Sequence, residues 1–202
     1  MKKQNMTVAV GLIAASLVII TNLVTVCLAF FEKLMNEWVL AVALISPILT
    51  ICIYSVLMYI LCFVSKQRNF RLLLSLTIFL QVLLLLFILL NKIYVIPSHF
   101  YIISIIITGL FLMGLYLWFF IMLSNTNENE VKAIKYLKTY AITYLILVVL
   151  SFIVSFMVAI LKHESIGNDK LILVLYQLID LIPYAYLTFF FFKHLEPTAQ
   201  PK

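Results

Sequence analysis

Six stretches of about 20 or more consecutive, predominantly apolar residues fill most of this chain, each long enough to cross a hydrocarbon layer about 30 Å thick. They predict an all-α integral membrane protein: six transmembrane helices in one bundle. The spans are expected near Thr7–Phe31, Trp38–Val64, Leu72–Leu90, Tyr101–Leu123, Tyr140–Leu161 and Leu171–Phe192. With 65% hydrophobic and 11% charged residues, the chain departs widely from a soluble domain, which carries roughly 45–50% apolar and about 25% charged residues. The connections between spans are short, so the whole of residues 1–202 reads as one transmembrane domain. The N-terminal MKKQNM resembles the start of a signal peptide. The apolar run behind it is about 25 residues, longer than an h-region of about 7–15, so it is expected to stay as the first helix.

The formal charge of +6 is unevenly spread. Lys2, Lys3, Lys66, Arg68, Arg71, Lys132, Lys135, Lys138, Lys193 and Lys202 fall on one side of a six-span topology. Lys33, Lys92, Lys162 and Lys170 fall on the other. That bias over short loops follows the positive-inside rule and predicts a multi-pass cell-membrane protein with both termini cytoplasmic. The basic residues therefore orient the chain and are not read as a nucleic-acid surface. The excess of Lys over Arg, with abundant Ile and Phe, has the flavour of an AT-rich bacterial genome.

Residues at about 126–138 carry Lys132, Lys135 and Lys138 interleaved with Val131, Ile134 and Leu137. Glu128 and Glu130 suit the positive end of a helix dipole, so a short amphipathic segment on the inner leaflet is expected. Cys27, Cys52 and Cys62 lie within spans and suggest neither a disulfide nor a metal site. His99, His163, Glu164 and Asp169 are metal-ligand types on the opposite face, but their spacing matches no recognised site. No metal or cofactor is expected.

Wound as helices, several spans show one polar face. In the first, Gly11, Ala15, Val18, Asn22, Thr25 and Ala29 recur at alternating steps of four and three. Small residues on such a stripe let backbones approach closely, and Asn or Thr can bond across. The second span offers Ser46, Thr50 and Tyr54, the third Thr77 and Gln81, the fifth Tyr144, Ser151 and Ser155. The sixth offers Gln177, Asp180, Tyr184 and Thr188.

Asp180 is the only formally charged side chain within the six spans, and an ionisable group at that depth marks a candidate functional site. It costs about 2.5–3.5 kcal/mol to insert, against about 0.3–0.6 kcal/mol returned by each Leu, Ile or Phe, so its apolar neighbours can carry it. At about 1.5 Å per residue, Asn22, Gln81, Ser151 and Asp180 all fall near the midplane, with Thr50 close by. A polar cluster of Asp180, Gln177, Tyr184, Asn22, Gln81, Thr50 and Ser151 is expected in the bundle interior.

Enzyme signatures fail. A second embedded carboxylate, an embedded His, a Gly-rich Ser motif and an H-E-x-x-H pair are all missing from the sequence. Cys62 and His194 could approach one another near the inner interface, but nothing in the sequence orients the imidazole. The first expectation is a non-catalytic accessory, immunity or assembly protein acting by intramembrane contacts with lipid, another membrane protein or a second copy. The alternative is a small-solute or ion transporter, or a transporter's substrate-binding subunit, that uses Asp180 as a buried proton, cation or ligand site.

Overall fold

The computed structural model describes residues 2–30, 36–93, 98–127, 131–160 and 169–195. These form six helices and no strand. They are α1 (Lys2–Phe30), α2 (Asn36–Met58), α3 (Phe70–Ile93), α4 (Ser98–Ser124), α5 (Ile134–Ile160) and α6 (Asp169–Leu195). Five of them contain a segment long and apolar enough to cross a membrane: Asn5–Ala29, Leu44–Val64, Phe70–Phe87, Ile107–Ser124 and Gln177–Leu195. Their outer faces are apolar, with Ile13, Phe79, Phe111, Ile182 and Phe189 among the exposed side chains. Such faces match a lipid solvent, where backbone polar groups must be paired within the helix itself.

Each helix packs against its neighbours in the chain, and α6 closes back onto α1. The α1–α6 seam is the most extensive. Small residues explain it: Gly11, Ala15, Val18, Asn22, Thr25 and Ala29 are all buried. At Gly11 an added Cβ would lie 2.8 Å from Val56 Cγ1 and 2.9 Å from Phe191 Cε1, so α2 and α6 approach α1 through the space that glycine leaves.

The main core lies toward the end of the bundle that carries the N-terminus of α1 and the C-terminus of α6. There Phe70 meets Phe119 edge-on at 5.9 Å, and Leu61, Leu137, Phe190 and Phe191 are fully buried. At the same end α2 passes into a π-helical segment, Tyr59–Val64, which buries Ile60, Leu61 and Cys62. It stops where Ser65 N–H donates to the Ile60 carbonyl and Gln67 N–H to the Leu61 carbonyl, with Lys66 left-handed at φ 58°.

Residues 131–138 fold into this end. Val131, Ile134 and Leu137 are buried in the bundle core, Lys132 and Lys135 point outward and Lys138 is half-buried. From Ile134 onward the segment is the first part of α5. Glu128 and Glu130 lie outside the described residues. The α2–α3 turn, with exposed Lys66, Arg68 and Arg71, borders the end of α4 across a pocket of about 200 Å³ lined by Gln67, Asn69, Phe70, Met122, Asn125 and Thr126.

Candidate functional site: a buried acid above a tyrosine layer

Most embedded hydroxyls satisfy themselves. Thr21, Thr50, Thr77 and Thr188 each donate to the carbonyl four residues back, at 2.7–3.0 Å. Their polarity is spent within their own helix and requires no partner across the bundle. Thr50 is therefore buried on α2 and bonded to Ser46, with no bond to Asp180.

Asn22 and Asp180 differ, because neither an amide nor a carboxylate can be closed off in this way here. Asn22 Nδ2 donates to Asp180 Oδ2 at 2.9 Å, joining α1 to α6 across their main seam. Three residues before Asp180, Gln177 stands on the same face of α6. The buried atoms Asp180 Oδ1 and Gln177 Oε1 have no hydrogen-bond partner among the described residues. Among the described residues two acceptors within one turn of helix thus lack a donor, a costly condition away from water.

One turn further along, Tyr184 enters a layer of tyrosines drawn from four helices. Tyr54 of α2 and Tyr140 of α5 share a hydrogen bond at 3.1 Å. Tyr116 of α4 lies 4.6 Å from Tyr144 and 6.2 Å from Tyr54 between ring centroids. Tyr144 meets Tyr184 edge-on at 6.0 Å and lies 5.6 Å from Tyr140. Tyr54, Tyr116, Tyr140 and Tyr184 are buried, while Tyr144 is partly exposed, as are Asp180 and Gln177. The acid and Gln177 lie on one side of this layer. The phenylalanine-rich core lies on the other.

No family model, curated protein or solved structure matches this chain.

The predicted site residues divide as follows. Asp180 and Asn22 are bonded, Gln177 lies one turn away on the same helix, and Tyr184 leads from Asp180 into the tyrosine layer. Gln81 is buried at the right depth on α3, but α3 packs on α2 and α4 whereas α6 packs on α1 and α5. No hydrogen bond joins Gln81 to Asp180 among the described residues. The side chain of Ser151 lies outside the described residues, as do those of His99 and Asp169 and the whole of His163 and Glu164. Among the described residues no group of three or more His, Cys, Asp or Glu gathers. His194 Nδ1 lies 3.0 Å from the Phe190 carbonyl and its ring rests on Phe190 at 4.4 Å, with no bond to Cys62.

Of this layer, Tyr184 alone belongs to the cluster expected from the sequence; Tyr54 and Tyr144 stand there only as members of polar faces, and Tyr116 and Tyr140 not at all. The signal for Tyr140 was the i, i+4 spacing to Tyr144, which puts both rings on one face of α5. Tyr116 carried no comparable signal.

Proposed function

We propose that this is a six-span cell-membrane protein with both termini cytoplasmic, and that it binds or passes a small cationic or hydrogen-bond-donating solute at mid-depth through Asp180. The observation that carries this is the pair of buried acceptors, Asp180 Oδ1 and Gln177 Oε1, with no donor among the described residues. A contact that only fixed helix packing would have its acceptors met by the protein's own donors, as the carbonyls one turn back are met by the threonine hydroxyls. The distribution of Lys and Arg supports the orientation, and the 27-residue length of α5 supports its crossing the membrane in addition to the other five helices. The reading contains no catalytic step and needs no cofactor.

Reconstitution into liposomes tests it. Uptake or binding of a cationic solute should be lost in Asp180→Asn, which keeps shape and hydrogen bonding but removes the charge. Wild-type behaviour in the variant would defeat the role given to Asp180.

A second reading, an accessory or assembly protein acting through contacts within the bilayer, is favoured by the outer face of α4. Gly114 is exposed there, and an added Cβ would meet nothing within 4 Å. Beside exposed Phe111 and Trp118 this gives a helix from a partner, or from a second copy, room for close approach. Repeated recovery of a lone monomer from mild detergent would count against it.

A further inference from the structure

Among the described residues Asp180 has one neutral donor, Asn22, and no Lys, Arg or His is present in any of the six apolar runs. An ionised carboxylate here takes its balancing charge from outside the protein: a proton, a metal ion or an organic cation. Hard metal ions prefer a shell of six or more oxygens, or an octahedral set that includes several waters. The described residues put the carboxylate, one amide oxygen and the Ile179 carbonyl that Pro183 leaves without its N–H on this turn of α6, fewer protein oxygens than such a shell. A proton balances one oxygen and makes no use of what lies beneath. What lies beneath is aromatic. Tyr184 is one turn from Asp180, and Tyr144 packs edge-on against Tyr184. Tyr144, Asp180 and Gln177 are half-buried as whole residues, with the acceptor atoms Asp180 Oδ1 and Gln177 Oε1 themselves turned inward, while Tyr54, Tyr116, Tyr140 and Tyr184 are closed off below them.

Aromatic faces attract ammonium groups electrostatically, most strongly where water is excluded, and a neighbouring carboxylate adds directed acceptance of N–H bonds. We propose that this layer takes a protonated organic amine. Its N–H groups are accepted by Asp180 Oδ1 and Gln177 Oε1, its charge rests against the Tyr144 ring, and its alkyl part meets the apolar wall. The proposal names the ligand class of the Asp180 site and so rests on the reading of that residue as a solute site.

Purified protein in nanodiscs, titrated with n-butylammonium and followed by calorimetry and by thermal unfolding, tests it. Wild type should bind saturably with a rise in Tm. n-Butanol and sodium chloride at equal concentration should give no such response. Tetramethylammonium, which has the charge but no N–H, should bind about tenfold more weakly. Asp180→Asn and Tyr144→Leu should each lose about tenfold or more in affinity, and Tyr144→Phe should retain it. Gln177→Leu gives an independent loss should Asp180→Asn fail to fold. Absence of saturable n-butylammonium binding to wild type overturns the proposal, as does binding that survives Asp180→Asn. If sodium or acid produces an Asp180-dependent shift and the amine does not, the ligand class is wrong and the solute site stands. If no cation and no pH change produces an Asp180-dependent response, both fall together.

Discussion

Removing Asn22 should expose how much of the α1–α6 seam depends on its bond to Asp180. Asn22→Leu keeps a side chain branched at Cγ and deletes the only donor that the described residues give the carboxylate, and the better helix propensity of Leu is the same with or without the acid and cancels in a double-mutant cycle. Hydrogen bonds between membrane helices average about 0.6 kcal/mol and reach about 1.7 kcal/mol, because the unfolded chain in lipid also finds partners. Three facts place this one near the upper end. The bond is 2.9 Å long, Asn22 is only 5% exposed, and among the described residues the other carboxylate oxygen has no partner and no second donor is at hand to take over. The expected cost is about 1.5 kcal/mol, somewhat more than tenfold in the unfolding equilibrium constant.

A double-mutant cycle with Asp180→Leu isolates that value. Asp180→Leu removes the acid together with its unsatisfied oxygen and should be near neutral or stabilising. Adding Asn22→Leu to it should then cost much less than Asn22→Leu alone, with a coupling of about 1–1.5 kcal/mol. Equilibrium unfolding by SDS in mixed micelles, followed by far-UV circular dichroism, reads all four proteins. Coupling below about 0.3 kcal/mol would mean that the two residues act independently and would refute the bond as a determinant of the seam.

Three further substitutions test the backbone geometry of the bundle. Gly11→Ala places a Cβ 2.8 Å from Val56 and 2.9 Å from Phe191 and should destabilise by about 1–2 kcal/mol despite the better helix propensity of Ala, whereas Gly114→Ala, with open space around it, should be neutral or slightly stabilising in the same unfolding assay. Ala133 is left-handed at φ 59° just before α5, so Ala133→Gly should raise stability by about 1 kcal/mol, and an unchanged midpoint would argue against that backbone conformation.

The small-residue stripe of α1 was legible because close helix approach has a simple chemical signature: no bulk at steps of three and four. The Asn22–Asp180 pair was legible because a mid-depth acid and a mid-depth amide share a need that only each other, or water, can meet. Gln81 shows the limit of the same logic. Counting residues along a helix gives depth but neither the order of helices around the bundle nor the direction a side chain faces. The tyrosine layer was hidden for a related reason. Tyr is enriched at membrane interfaces, so Tyr140 read as the boundary of a span, whereas α5 begins six residues earlier at Ile134 and carries Tyr140 inward. The π-helical turn at Tyr59–Val64 has no marker in YILCFV, because an extra residue per turn is a response to packing at the end of α2 rather than a local preference.

The turn around Asp180 concentrates acceptors. Pro183 has no N–H to give the Ile179 carbonyl, which adds a third acceptor to Asp180 Oδ1 and Gln177 Oε1 within about one turn of α6. Among the described residues Asn22 is the donor at this turn, and it meets the other carboxylate oxygen, Asp180 Oδ2. Packing alone does not call for this composition: an amide at position 180 would hold the same bond to Asn22, could donate to Gln177, and would avoid the cost of embedding an ionisable group. The exposed apolar face of α6, with Ile179, Ile182, Phe189 and Phe192, shows that the helix carries hydrophobic surface enough to offset that cost. What an acid supplies and an amide does not is a negative charge. A charge held against a tyrosine layer, with acceptors to spare, is chemistry suited to a positively charged donor arriving from outside the protein. That is why Asp180→Asn should leave the fold standing while removing the binding.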